Sequence, residues 1–365
     1  MPRPVNYWDY LRIDELLDLQ GGVERDEARL GNEEVLFITV HQVFELWFKL
    51  VIRELAAARD LFRSEPVAEQ ELSGVVERLQ RVTTIFRVAA SHFEVVETLS
   101  TRAFLAFRNK LLPASGYQSA QMRRMEILLG LEESERVPLG VPGGHLRSLL
   151  EPDGSESASG RSVRAQLADR PTLKEAITSW LARTPIDGTE HDAPDADERL
   201  SAFLDRFLEC HAAEVDASLE RALDVSPPEA HERLRAMYAR EIESVRDFFR
   251  AADADGRRRA RVRAAMLFIE LYRELPLLAW PREVLASLIQ LEQAFLIFRQ
   301  RHARMVERVI GRRPGTGGSA GVEYLDKTAL EYRVFRDLWA IRTLLVRADA
   351  APPLENPGFY SFRGG

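Results

Sequence analysis

Glu33-Glu34-Val35-Leu36-Phe37-Ile38-Thr39-Val40-His41-Gln42-Val43-Phe44-Glu45-Leu46-Trp47-Phe48-Lys49-Leu50-Val51 opens a segment, residues 33–63, that decides the fold. Wound at helical spacing it is apolar nearly all round, which predicts a long helix in the middle of a bundle. Within it Phe37, His41, Phe44, Phe48, Val51 and Leu55 recur at alternating steps of four and three. His41 therefore falls on a buried face. A second stripe, Leu288, Leu291, Phe295, Phe298, His302, Met305 and Val309, does the same with His302. A buried polar ring is costly unless something satisfies it, and neutral imidazole is a common metal ligand. Shortly after His302 comes a polar loop, Gly315-Thr316-Gly317-Gly318-Ser319-Ala320-Gly321. An imidazole in an apolar slot followed by such a loop suggests a ligand pocket.

Outward from these stripes, every other periodic segment also reads as helix. Expected helices cover residues 9–20, 68–112, 118–130, 172–183, 196–223, 227–252, 258–274 and 326–346. No alternating strand pattern and no internal repeat is present, so the expected class is all-α, a bundle of long helices. Residues 131–170 carry Gly140, Pro142, Gly143, Gly144, Glu151-Pro152-Asp153-Gly154-Ser155 and Ser157-Ala158-Ser159-Gly160. That is turn chemistry and reads as an exposed, mobile connection. Nothing resembles a true linker, so residues 1–365 are expected to form one domain.

The 365 residues are 45% hydrophobic, enough for a large core. The net charge of −7 gives no reason to expect nucleic acid or an anionic membrane as partner. The run Arg257, Arg258, Arg259, Arg261, Arg263 reads as a solvated helix face. A single cysteine, Cys210, excludes an internal disulfide framework and a thiolate cluster and fits a reducing cytoplasm. No stretch is expected to have the length and apolarity of a membrane span, and Met1-Pro2-Arg3-Pro4 lacks a signal-peptide core.

On spacing alone, each stripe histidine also fits a satisfied core residue. His92, His145, His191, His211 and His231 sit in polar or loop surroundings and read as surface. No His-Glu-x-x-His motif and no pair of Glu-x-x-His units occurs. The glycine-rich loop lacks the Gly-Lys-Ser/Thr end of a P-loop; it reads equally as a helix-ending turn. Arg108, alone, reads as a surface arginine.

The residue strings are more specific than their periodicity. Phe37-Ile38-Thr39-Val40-His41-Gln42-Val43-Phe44-Glu45-Leu46-Trp47-Phe48-Lys49 resembles the first-helix motif of tryptophan 2,3-dioxygenases. Phe107-Arg108 with Pro113-Ala114-Ser115-Gly116-Tyr117-Gln118-Ser119 resembles their second motif. Arg301-His302, Val306-Glu307-Arg308-Val309-Ile310-Gly311 and the loop from Gly315 to Gly321, with Tyr324-Leu325, resemble the third. Tyr7 to Leu17 and Trp180 to Pro185 are similar to weaker segments of the family. The likeness runs in order through nearly the whole chain.

This resemblance implies a homotetramer that binds heme b, one per subunit, between long helices and uses O₂ to convert L-tryptophan to N-formyl-L-kynurenine. It implies that His302 is the proximal iron ligand and that His41 lies near the substrate indole N–H. Phe37 would wall the indole, Phe104, at a position where the family has Phe or Tyr, would also bind substrate, and Arg108 would pair with the substrate carboxylate. Thr316 would contact the ammonium and carboxylate ends. Ser115 would lie on the distal side of the heme, and Gly317 would contact the cofactor. Tyr7 and Tyr10 would come from a neighbouring subunit. These roles suit the residue types: axial imidazole is a standard heme ligand, and guanidinium grips carboxylate with two parallel bonds.

Four positions depart from the family pattern. Phe298 stands where tryptophan is common, Tyr117 replaces phenylalanine, Leu99-Ser100-Thr101-Arg102 replaces a Met-Thr turn, and Ala320 replaces serine. None removes a proposed ligand or substrate contact. The alternatives are a heme-dependent monooxygenase on tryptophan, a modified tryptophan or another aromatic amino acid in natural-product synthesis, and a non-catalytic heme or gas sensor. A sensor has no need of the amino-acid clamp that Arg108 and Thr316 would form.

Overall fold

A computed structural model describes residues 6–111, 119–138, 153–250, 253–313 and 321–362. Among these residues the architecture is all-α, with an isolated bridge between Ile186 and Thr189 and no strand. The helices are α1 (Tyr7–Leu11), α2 (Ile13–Leu17), α3 (Asn32–Leu61), α4 (Glu69–Val96), α5 (Thr101–Phe107), α6 (Ala120–Leu129) and α7 (Ala158–Ala168). They continue as α8 (Leu173–Ala182), α9 (Ala196–Asp224), α10 (His231–Phe249), α11 (Ala254–Leu271), α12 (Ala279–Ile310), α13 (Val322–Glu331) and α14 (Arg336–Leu344).

The chain divides into two compact units. The first comprises Met1–Ala56, Arg81–Arg170 and Leu291–Arg333; the second comprises Ala57–Gln80, Pro171–Gln290 and Val334–Gly365. Helices α3, α4 and α12 contribute residues to both.

The first unit is built around an aromatic cluster that the two histidine stripes supply. Phe298 of α12 meets Phe44 and Phe48 of α3 edge-on, with centroids 5.9 and 5.8 Å away. It also packs 5.1 Å from Phe93 of α4. Phe86 stacks on Phe295 at 4.6 Å. Each such ring buries a large apolar area, and tilted or edge contacts suit the ring quadrupoles. Acidic Glu33 and Glu34 in the first turn of α3 complement its dipole. Gly130 closes α6 at φ 112°, a left-handed position that favours glycine, and donates to the carbonyls of Glu126 and Ile127.

The second unit packs α9 against α10 through Phe207 and Phe249, 6.0 Å apart. Phe268 of α11 meets Phe203 at 5.4 Å and Tyr360 at 5.2 Å. The Tyr360 hydroxyl donates to the Pro185 carbonyl and accepts from the Gly188 N–H, both at 3.0 Å. The C-terminal segment is thereby pinned.

Several expectations need correction. Helix 9–20 is two short helices parted at Arg12, whose φ is 54°. The 68–112 segment ends its helix at Val96 and resumes at Thr101, where Ser100 caps α5 by accepting from the Ala103 N–H at 3.1 Å. The 326–346 helix is likewise two, α13 and α14. Part of the connection read as loop, 131–170, is helix α7. Ser157 caps it by accepting from the Gly160 N–H at 3.0 Å, and Val163 packs on Ile127. His211 is buried on α9, not at the surface. In the basic run, Arg257, Arg258 and Arg259 are exposed, but Arg261 donates to the Ala182 carbonyl and Arg263 pairs with Asp337. Finally, α3 contains a window of mean hydropathy 1.7, long and apolar enough by length and composition to cross a membrane. In this helix Val51 and Leu55 are fully buried and Phe37, Phe44 and Phe48 line the hollow described next, while Leu46 is half exposed.

Candidate active site

A cavity of about 430 Å³ lies within the first unit, between α3, α4, α5, α6, α12 and α13. Its wall is mainly apolar: Phe37, Phe44, Phe48, Phe93, Val96, Leu99, Phe104, Phe298, Met305, Val306 and Val309 all face it. Into this wall are set two imidazoles, His41 and His302, three guanidinium groups, Arg108, Arg123 and Arg299, and the carboxylate of Glu45. Such a hollow, apolar with a few converging polar groups, is the usual form of a cofactor or substrate site.

Helix α12 supplies His302. Its ring lies parallel to that of Phe93, with centroids 5.3 Å apart and planes 11° apart. Burial pushes its pKa down to about 4, with smaller contributions from His41 and the Arg299 charge. The ring is therefore neutral at physiological pH. Among the described residues no hydrogen bond to its ring is found, and the residue lines the hollow.

His41, on α3, is held differently. Its Nδ1 lies 2.7 Å from the Phe37 carbonyl oxygen, one turn earlier on the same helix. A carbonyl only accepts, so Nδ1 carries the proton and Nε2 is left as an acceptor. Burial lowers the His41 pKa, partly offset by that carbonyl and by Glu45. The Phe37 ring covers the imidazole at 4.0 Å. Phe37 also packs on Phe104 and Phe107, at 5.8 and 5.6 Å.

Arg108 begins a 3₁₀ turn, Arg108–Leu111, that continues directly from α5. The turn is anchored by Lys110, whose Nζ lies 2.8 Å from Glu24 and 2.9 Å from the buried Glu34. At the start of α6, the Ser119 hydroxyl donates to Glu45 at 2.7 Å and Gln121 donates to the same carboxylate at 2.8 Å. Glu45, one turn after His41, thus ties α6 to α3.

The family profile described as tryptophan 2,3-dioxygenase matches residues 3–345. The chain belongs to the tryptophan 2,3-dioxygenase family. It is 51% identical to the tryptophan 2,3-dioxygenase of Sorangium cellulosum, over 99% of this chain and 88% of that one. It is 49% identical to tryptophan 2,3-dioxygenase 2 of Ralstonia nicotianae, over 99% and 98%. A more distant relative, the tryptophan 2,3-dioxygenase of Alteromonas mediterranea, is 34% identical over 98% of each chain.

In this member of the dioxygenase family, five of the residues singled out from sequence meet on one cavity: Phe37, His41, Phe104, Arg108 and His302. Tyr7 and Tyr10 do not line it. They lie on α1 and are 76% and 77% exposed. Ser115, Thr316 and Gly317 lie outside the described residues. Three groups on or behind the wall escaped the sequence reading: Glu45 with Ser119, Lys110 with its two acids, and the buried Glu126 with Arg123, Arg136 and Arg299. Each is an ordinary charged residue in sequence, and only its long-range partners mark it.

Proposed function

We propose that this chain is a heme-dependent enzyme that adds both atoms of O₂ across the indole C2–C3 bond of L-tryptophan and releases N-formyl-L-kynurenine. The observation that carries the reading is the joint placement of His302, His41 and Arg108 on one apolar cavity in a chain of this family.

The donor set suits heme better than a bare ion. Among the described residues no group of three or more His, Cys, Asp or Glu side chains is placed to hold a metal. A neutral imidazole on an apolar hollow suits iron that a porphyrin already holds, and His41 has its Nδ1 committed to the Phe37 carbonyl. His302 would be that ligand. Bound ferrous heme would supply the activation of O₂, chemistry that no side chain provides.

The chain's own residues orient the amino acid. His41 Nε2 accepts the indole N–H. The aromatic rings of Phe37 and Phe104 wall the indole. Arg108 grips the α-carboxylate, and its turn is held in place by Lys110. The apolar wall excludes water, which strengthens the guanidinium–carboxylate pair. Thr316 at the ammonium end, Ser115 on the distal side and Gly317 beside the cofactor keep the roles that the resemblance implies. Tyr7 and Tyr10, exposed on each chain, would complete a neighbour's pocket in a homotetramer.

The test is product mass. Heme-loaded protein, reduced anaerobically and given L-tryptophan and O₂, is expected to yield a product heavier than tryptophan by two oxygen atoms. One added oxygen would make the protein a monooxygenase, and no product from tryptophan would overturn the reading.

A further inference from the structure

At the cavity wall three guanidinium groups converge on one carboxylate set behind it. Glu126 of α6 is 1% exposed. It accepts from Arg123 at 2.8 Å, from Arg136 at 2.6 Å and from Arg299 at 2.5 Å. Burial alone would raise its pKa, but the three arginines outweigh that and hold it down to about 2. The carboxylate is therefore always ionised. Among the described residues the one further acid paired with these guanidiniums is Glu133, 3.0 Å from Arg136, and it is 72% exposed and screened by water. Among the described residues three positive charges are thus opposed by one buried negative charge.

The surplus sits next to the candidate iron site. Arg299 precedes His302 by three residues on α12, so the two side chains are neighbours on one helix face. Arg299 and Arg123 both line the cavity that His302 faces. The Arg299 guanidinium is sandwiched by the rings of Phe295 and Tyr332, 4.4 and 4.8 Å from their centroids. The Nε atoms of Arg123 and Arg299 are buried without a hydrogen-bond partner among the described residues. These charges are poorly hydrated and act at close range through an apolar medium.

We propose that the Glu126 cluster sets the reduction potential of the iron held by His302, its surplus positive charge favouring the ferrous state and Glu126 limiting that surplus. This rests on the heme reading above. Ferrous iron carries one positive charge fewer than ferric iron, so nearby guanidinium groups favour it and a carboxylate opposes it. Glu126 and Arg136 are suited to the test because neither is among the described residues that line the cavity. Substituting them changes charge without removing a wall group.

The experiment is an anaerobic potentiometric titration of the heme-loaded parent, Glu126→Gln and Arg136→Met, each followed by its heme spectrum. Glu126→Gln removes a negative charge and is expected to raise the midpoint potential. Arg136→Met removes a positive one and is expected to lower it. At a fixed applied potential the ferrous-to-ferric ratio should move about threefold or more in opposite directions. A merely structural clasp would disturb both variants in the same direction, or change heme retention alone. Unchanged potentials, or shifts of the same sign, would overturn the proposal. Should Glu126→Gln fail to fold, Arg136→Met decides alone, since its potential must fall. Failure of the parent to take up heme would instead overturn the functional reading on which the proposal rests.

Discussion

Phe93 of α4 and His302 of α12 face each other as parallel plates, centroids 5.3 Å apart and planes within 11°. Phe93 also touches Phe44 and Phe298, so the histidine's plane is referred to the packed core of the first unit. An imidazole on a long helix is free to turn about its side-chain bonds; a ring packed flat against it removes that freedom.

Truncating this plate should show both effects. Phe93→Ala is expected to destabilise the protein by about 3–5 kcal/mol, the usual cost of deleting a buried phenylalanine ring. It should also speed loss of heme, measured as transfer to a heme-scavenging protein. Phe93→Leu should recover most of the stability and less of the heme retention, because it restores volume without the flat face. Equal recovery of both would show that the stack does no more than fill space.

Arg108 gives a prediction about substrate. Removing one partner of a desolvated charge pair costs about 2–5 kcal/mol, and about 1.4 kcal/mol is a factor of ten. Arg108→Ala should therefore reduce kcat/KM for tryptophan by about thirtyfold or more, with little change in heme spectra. Tryptamine, which lacks the carboxylate, should be a poor substrate of the parent and much less affected by the substitution. Equal losses for both compounds would assign Arg108 to the fold. Lys110→Ala should act in the same direction but more weakly, since it only anchors the turn.

His41 carries a pH dependence. Its pKa in the folded chain is lowered below 6.5 by burial, against smaller opposing effects of the Phe37 carbonyl and Glu45. On acidification an unfolded imidazole takes its proton first. The neutral ring's contribution to stability is thus complete above about pH 6.5 and is lost as pH falls through the folded pKa. Nε2 remains an acceptor for the indole N–H over the same range. Tryptophan affinity should hold steady from about pH 8 down past pH 6.5 and weaken only below it. His41→Ala should bind less tightly and lack that acid limb. A parent affinity that falls with a midpoint at or above 6.5 would show that this ring is not the acceptor.

The N-terminal segment tests assembly. Tyr7, Trp8, Tyr10 and Leu11 are all exposed on α1. Deleting residues 1–12 is expected to raise KM for tryptophan and to loosen the oligomer, read by light scattering. Full activity as a monomer would rule out a shared site.

How much of this was legible in the sequence varies with the range of the interactions. The stripes through His41 and His302 were legible because helical period alone places Phe44, Phe48, Phe295 and Phe298 on the same faces, and the structure brings them together. Helix α7 was not, because Ser157-Ala158-Ser159-Gly160 looks like loop; the serine is a cap and the run is the first turn. Glu126 was not legible either. Three residues after Arg123 it resembles a surface pair, and only Arg136 and Arg299, 10 and 173 positions away, make it a buried junction. Burial of His211, by contrast, was within reach of the sequence, since Phe203, Phe207, His211 and Val215 recur every four residues on one face of α9.

The measurement that bears most directly on the central claim compares the heme content and ferrous spectrum of the parent, His302→Ala and His41→Ala after identical loading and reduction. If His302 holds the iron and His41 holds the substrate, His302→Ala loses most of its heme or shows a Soret band without histidine ligation. His41→Ala keeps its heme and turns over slowly. Full heme content with an unchanged ferrous spectrum in His302→Ala, or heme loss as severe in His41→Ala, would contradict the account.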